Sequence, residues 1–169
     1  MKKISYITIF FTMVFFSVAV AAEKQIVSVN TDQSNTEVGE IITLSVLYDV
    51  TDAQKQLSSL GVRIHYDSSI LEYKGANNEF KINQLGLPQD SAEIVDKDVD
   101  DKNKGTDRFI LLTWADVLFT SWPGENVTLP LKLIDLQFKV LKDQSTNINV
   151  TQKTGDSAYG FKGVGLKLN

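Results

Sequence analysis

Four aspartates in one stretch come nearest to a chemical signature. Asp96, Asp98, Asp100 and Asp107 stand at the first, third, fifth and twelfth places of a calcium-binding loop, and clustered carboxylates repel one another unless a hard cation neutralises them. The pattern departs from such loops at Asp101, where a glycine normally makes the sharp turn, and Lys102 and Lys104 bring opposing charge. Binding of Ca2+ is therefore weighed against a solvated, charge-rich surface loop. A second group is aromatic. Trp114, Phe119 and Trp122 would stack on sugar rings if exposed and coplanar, with Asp116 or Asn126 taking hydroxyls, whereas tryptophan in most soluble domains is buried. His65 is the sole histidine; with no partner ligands beside it for a zinc site or a nucleophilic triad, it is expected on the surface next to Arg63. Asp67, Glu72 and Asp116 are the carboxylates that glycoside hydrolysis would need. Carboxylates are plentiful in this chain and no cleft is signalled, so a protein that is not an enzyme is expected.

The elements that must position these groups are strands. From Gly61 to Gly75, Val62, Ile64 and Tyr66 alternate with Arg63 and His65, the period of a half-buried strand. Asp67-Ser68-Ser69 interrupts it with a polar corner, and Ile70, Leu71 and Tyr73 begin a second strand. Ile26 to Val29 and Ile41 to Val50 read as strands before this unit, and Phe80 with Ile82 as a brief edge pairing after it. Phe109 to Val117 is apolar on both faces, so it is either covered on both sides or carries an apolar outer patch. Leu129 to Leu141 is the longest candidate, and its mixed parity predicts a bulge or a crossing between sheets. Ile148 with Val150, and Tyr159 to Leu168, supply the last strands. Asp52 to Ser59 has slight helical character, and no longer amphipathic helix is predicted. About nine short strands at regular spacing predict an all-β, two-sheet sandwich of jelly-roll or Greek-key type.

Composition bounds the setting. Lys2 and Lys3, the apolar run Ile4 to Val18 and the small residues Ala19-Val20-Ala21 form a secretory signal peptide over 1–22, leaving 23–169 as one domain. The run is shorter than the roughly 20 apolar residues of a membrane span, so no membrane association is expected after cleavage. The formal charge of −4 becomes more negative once Lys2 and Lys3 are removed, which argues against nucleic acid as a partner. Without cysteine the exported domain must rest on its apolar core. A bacterial protein released to the periplasm or the medium, and monomeric, is expected.

Several short motifs carry a family likeness. Val38-Gly39-Glu40 leading into an alternating strand resembles the start of cohesin domains, as do Tyr66-Asp67, Leu71 and Gly75. Trp114-Ala115-Asp116 followed by Trp122-Pro123-Gly124, and Ala158-Tyr159-Gly160-Phe161 near the end, are similar to cohesin-like modules of exported bacterial surface proteins. The resemblance implies a nine-stranded jelly roll related to certain carbohydrate-binding modules, and non-covalent capture of a dockerin-like protein partner on one sheet face. The strand matching Leu60 to Tyr66 contributes to that face, whose outward positions by alternation are Ser59, Gly61, Arg63 and His65. Ser59 and Gly61 stand where dockerin-reading cohesins commonly place an amide and an acid, and Ser68 replaces the family's proline. The alternative is a carbohydrate-binding module that uses Trp122, Trp114 and Phe119 on a polysaccharide, in polysaccharide degradation or at the cell surface.

Overall fold

Alternation in sequence becomes alternation in burial. In a computed structural model that describes residues 25–33, 36–51, 56–57, 59–93, 101–116, 122–152 and 160–169, strand β2 (Ile41–Val50) buries Ile42, Leu44, Val46 and Tyr48 completely, with only partly covered residues between them. The other strands are β1 (Gln25–Asn30), β3 (Gln56–Leu57), β4 (Ser59–Tyr66), β5 (Leu71–Asn77), β6 (Gln89–Ala92), β7 (Arg108–Ala115), β8 (Trp122–Pro123), β9 (Leu131–Val140), β10 (Thr146–Gln152), β11 (Phe161–Val164) and β12 (Leu166–Leu168). They form two five-stranded sheets, ordered β11-β1-β2-β9-β5 and β12-β10-β4-β7-β6, with β3 and β8 paired apart. Among the described strands, only β1 with β11 runs parallel. The described residues include no α-helix. The chain is thus the all-β two-sheet sandwich that its periodicity predicts, with more strands than the nine expected.

The core is the apolar inner face of both sheets. Ile42, Leu44, Leu136 and Phe138 meet Val62, Ile64, Ile110 and Leu112, each fully buried aliphatic side chain contributing about 1.5–3 kcal/mol of transfer free energy. The Tyr66 and Phe138 rings bridge the sheets edge to face at 5.0 Å. The polar corner hands the chain from one sheet to the other. The Asp67 carbonyl accepts the Ile70 and Leu71 N–H groups at 3.1 and 2.9 Å, and the Asp67 carboxylate accepts the Ser69 N–H at 2.8 Å, which is the local competition that ends β4.

The mixed parity of Leu129 to Leu141 resolves as a bulge. Val46 pairs with Ile134 and Leu47 with Lys132, so Leu133 is the extra residue, and Leu133 and Ile134 are both buried. At the other end of the chain, β11 pairs in the first sheet and β12 in the second. The switch requires two glycines, because a Cβ on Gly163 would stand 2.1 Å from the Val150 carbonyl oxygen and one on Gly165 would stand 2.2 Å from that of Ile148.

Three local expectations are corrected. Ile82 lies in an exposed turn rather than an edge strand, while the Phe80 N–H donates to the Leu133 carbonyl at 2.7 Å. The edge strand is instead β6, whose Gln-Asp-Ser-Ala sequence carries no apolar alternation. Ser121-Trp122-Pro123-Gly124 has the composition of a turn, but Trp122-Pro123, joined by a cis peptide bond, pairs with Gln56-Leu57, and Gln56-Leu57 is extended rather than helical. The expected signal peptide lies outside the described residues.

Candidate functional site

The register of the second sheet decides which side chains share its outer face. Because Val62, Ile64, Ile110, Leu112 and Trp114 point into the core, their alternates Gly61, Arg63 and His65 on β4, Phe109, Leu111 and Thr113 on β7, and Asn149 and Thr151 on β10 point outward. Arg63 and His65 are on the expected face, but they are not accessible. Arg63 is 3% exposed and His65 fully buried, Gly61 is buried and Ser59 partly so. The expectation of a surface histidine fails because side chains from distant parts of the chain cover it. His65 Nδ1 lies 2.7 Å from Glu93 Oε1, and Nε2 lies 2.7 Å from Thr151 Oγ1. The Arg63 guanidinium stacks over the Phe109 ring at 5.3 Å.

Asp101 closes this cluster. Asn149 Nδ2 donates to one of its carboxylate oxygens at 2.6 Å, the Asn103 N–H donates to the other at 2.8 Å, and the Thr106 hydroxyl reaches that second oxygen at 2.9 Å. Ligand atoms of His65, Glu93 and Asp101 all lie within 4.8 Å of one another. Burial pushes the Glu93 carboxyl above its ordinary range; its hydrogen bond to His65 opposes this and the Asp101 charge reinforces it. Of the expected calcium ligands, Asp96, Asp98 and Asp100 lie outside the described residues. Asp107 turns to the polar corner instead, accepting the Ser68 N–H at 2.7 Å and its hydroxyl at 2.6 Å. Asp101, the residue that spoiled the calcium pattern, is the one that faces inward.

The aromatic expectation is also corrected. Trp114 and Trp122 are fully buried and leave no face for a sugar to stack on. Trp114 Nε1–H donates to the Phe80 carbonyl at 2.7 Å, and Trp122 packs on Tyr48 at 4.8 Å and on Trp114 at 6.2 Å. Phe119 lies outside the described residues. The carboxylates do not converge either. Ser59 pairs with Ala115 and Tyr66 with Arg108, so Asp116 and Asp67 stand at opposite ends of the β4–β7 pair. That separation is about 30 Å at ~3.4 Å per residue, against the roughly 5–10 Å that glycosidic carboxylates need. Glu72 forms an exposed ion pair with Lys74 at 3.1 Å.

The edge of this face carries exposed apolar side chains. Gln84 bridges to Trp114 and Gln89 pairs with Leu111, so Leu85 to Pro88 oppose only Leu112 and Thr113 and loop outward. Gly86, at φ 140°, allows the excursion. Leu85 is 57% and Leu87 77% exposed, and Ile82 just before them 56%. Leu85 and Leu87, with Leu111, Thr113 and Gln89, line a shallow recess of about 230 Å³. Sequence reasoning missed this ridge because it looked for an apolar pattern with strand periodicity, and these residues protrude between paired positions. Further along the same edge, Tyr66, Asp90 and Arg108 tie β4, β6 and β7 together. The Tyr66 hydroxyl donates to Asp90 at 2.9 Å, and Arg108 pairs with Asp90 at 2.9 Å. Burial and the Asp90 carboxylate hold the Tyr66 phenol well above its ordinary range, with Arg108 opposing.

Two five-stranded sheets, a chain that switches between them at both a polar corner and a glycine pair, and an outer face partly covered by distant segments define a two-sheet β-sandwich. No family model and no curated protein matches the sequence. Among solved structures, the chain is similar to the cohesin module of the Clostridium perfringens ATCC13124 family 33 glycoside hydrolase, with a TM-score of 0.54 and 8% identity over 87% of this chain and 96% of that one. It is similar also to the sixth cohesin of Acetivibrio cellulolyticus scaffoldin B in complex with a Cel5 dockerin mutant, with a TM-score of 0.52 and 12% identity over 86% and 99% of the two chains. The Coh-OlpC-Doc435 complex of Clostridium thermocellum, a type I cohesin–dockerin complex, gives 0.51 and 13% identity over 91% and 99%. The fold is cohesin-like.

Proposed function

We propose that this chain is an exported, non-catalytic binding module that captures a dockerin-like protein through the outer face of its second sheet. The observation that carries this reading is the exposed ridge of Leu85 and Leu87 beside the recess floored by Leu111. Large apolar side chains held out by a bulged edge are a cost in water that a protein partner removes by covering them. The similar structures that hold dockerins support a protein as the occupant. The contact surface differs from the one expected of β4: Arg63 and His65 act as its buried support, and the reading residues belong to β7, β6 and the loop before β6. The burial of Trp114 and Trp122 takes two of the three expected stacking residues away from a glycan-binding reading. The basic start and apolar run of 1–22 support export.

The test is calorimetric titration of the purified protein against a panel of purified dockerin modules. At least one is expected to bind with one-to-one stoichiometry. Leu85→Asp combined with Leu87→Asp is expected to weaken that binding by about 30-fold or more, the ~2 kcal/mol of an apolar anchor, with an unchanged melting temperature. A panel that fails entirely, or binding indifferent to both leucines, would overturn the proposal.

A further inference from the structure

We propose that His65, Glu93 and Asp101 form a binding site for one divalent transition-metal cation of the zinc type. The donor set is one imidazole nitrogen and two carboxylates, with ligand atoms within 4.8 Å of one another. Such a set suits zinc and its neighbours, whereas calcium and magnesium take oxygen ligands almost exclusively. The site is thus of a different chemistry from the calcium loop that the aspartate spacing suggested, and it uses none of those four aspartates.

The histidine distinguishes the cluster from a group of acids gathered by a charged loop. His65 sits on the side of the sheet where solvent normally lies, yet it is fully buried, held by a strand whose two neighbours fix its position through the pairs His65–Phe109 and His65–Asn149. Its two nitrogens have separate tasks. Nε2 meets the Thr151 hydroxyl at 2.7 Å, which as a hydrogen-bond acceptor would keep the proton on Nε2 and leave the Nδ1 lone pair directed at Glu93. Nδ1 and Glu93 Oε1 meet at 2.7 Å; a cation about 2.1 Å from each replaces the bridging proton once the pair opens to the roughly 3.4 Å of tetrahedral coordination. Asp101 is oriented from outside the donor set by Asn149 and by the Asn103 backbone, the kind of outer support that ligating carboxylates receive.

The three ligands come from β4, from the residue after β6 and from the segment before β7. A cation held there cross-links three separate stretches on the outer face, and Glu93 and Asp101 bracket residues 94–100, so both ends of that stretch would be tied to β4. The site would then act structurally, with solvent completing the coordination.

The experiment uses tag-free, chelator-treated protein titrated with Zn2+, Ni2+, Mn2+, Ca2+ and Mg2+. One equivalent of zinc is expected to bind and to raise the melting temperature, whereas calcium and magnesium are expected to leave it unchanged. As His65 is the only histidine, one imidazole signal in the nitrogen NMR spectrum reports the site, and zinc is expected to shift Nδ1 rather than Nε2. The near-isosteric Glu93→Gln and Asp101→Asn are each expected to weaken zinc binding by about 100-fold or more, while Glu72→Gln, a carboxylate elsewhere on the surface, changes nothing. Because both variants preserve side-chain shape, they can be checked as folded even if His65→Gln is not. Absence of zinc binding by the folded protein, or zinc binding unaffected in both variants, would overturn the assignment.

Discussion

Asp135 shows how a single charged residue can be held inside a sheet face. It stands on β9 on the outer side of the first sheet, 3% exposed, and accepts hydrogen bonds from Ser45 Oγ at 2.6 Å, Asn78 Nδ2 at 2.8 Å and Lys132 Nζ at 3.2 Å. Burial alone would raise its carboxyl, but the Ser45, Asn78 and Lys132 contacts outweigh it and hold the group below the usual carboxylate range. A depressed folded value means that its contribution to stability is fully present above the unfolded carboxyl value of ~3.9 and is lost as pH falls through the folded one. Asp135→Asn is therefore expected to lower stability at pH 7 by about 1–3 kcal/mol and to flatten the acid limb of the stability curve. Urea unfolding between pH 3 and 7 checks both, and parallel acid limbs for the two proteins would refute the account. Lys132, half exposed, contributes the smaller share because solvent screens it. At this scale the sequence was informative where alternation is clean, as for Val62 and Ile64 on the inner face of β4. It was silent where burial comes from afar: nothing near His65 announces that Glu93, Asp101 and Thr151 will cover it.

Strands were legible wherever one face is apolar. Ile41 to Val50 is a strand with the bounds its alternation gives, and the mixed parity of β9, which signalled either a bulge or a crossing between sheets, resolves as the bulge. Strand β6 was not legible because an edge strand paired on one side only needs no apolar face, and its residues carry none. The last strands were read as a unit from Tyr159 to Leu168, although Gly165 divides them between two sheets. That division yields a prediction. Neither Gly163 nor Gly165 needs a positive φ, so their role is steric: each lies where a Cβ would collide with a backbone carbonyl of β10, at 2.1 Å and 2.2 Å. A backbone carbonyl cannot rotate away as a side chain can. Gly165→Ala is expected to destabilise the domain by about 2–3 kcal/mol or to detach β12, measured as a fall in the urea midpoint together with loss of hydrogen-exchange protection at Thr146 and Ile148, which pair with β12. An alanine variant as stable as the parent would show that the crossing can open at little cost.

The order of strands across each sheet belongs to the whole molecule, and it explains why fold class could be inferred while topology could not. β1 pairs with β11 and β2 with β9, partners separated by most of the chain, and no local pattern encodes which of two distant amphipathic strands will meet. The same arrangement makes one short terminal segment responsible for an edge of both sheets. β11 covers the outer hydrogen-bonding side of β1, and β12 covers that of β10. Deleting 160–169 would expose two strand edges at once, remove Leu168 from the core and leave the main-chain groups of β1 without their parallel partner. Exposed edges of this kind recruit other strands. The truncated protein is expected to melt well below the full chain and to associate in a concentration-dependent way, with scanning calorimetry and light scattering coupled to size exclusion as the readouts. Its transition should broaden as well, since the two sheets would no longer be held by a segment common to both. A truncated monomer with an unchanged, sharp transition would mean that β2 to β10 carry the sandwich alone and that the chain's final crossing adds nothing to its cohesion.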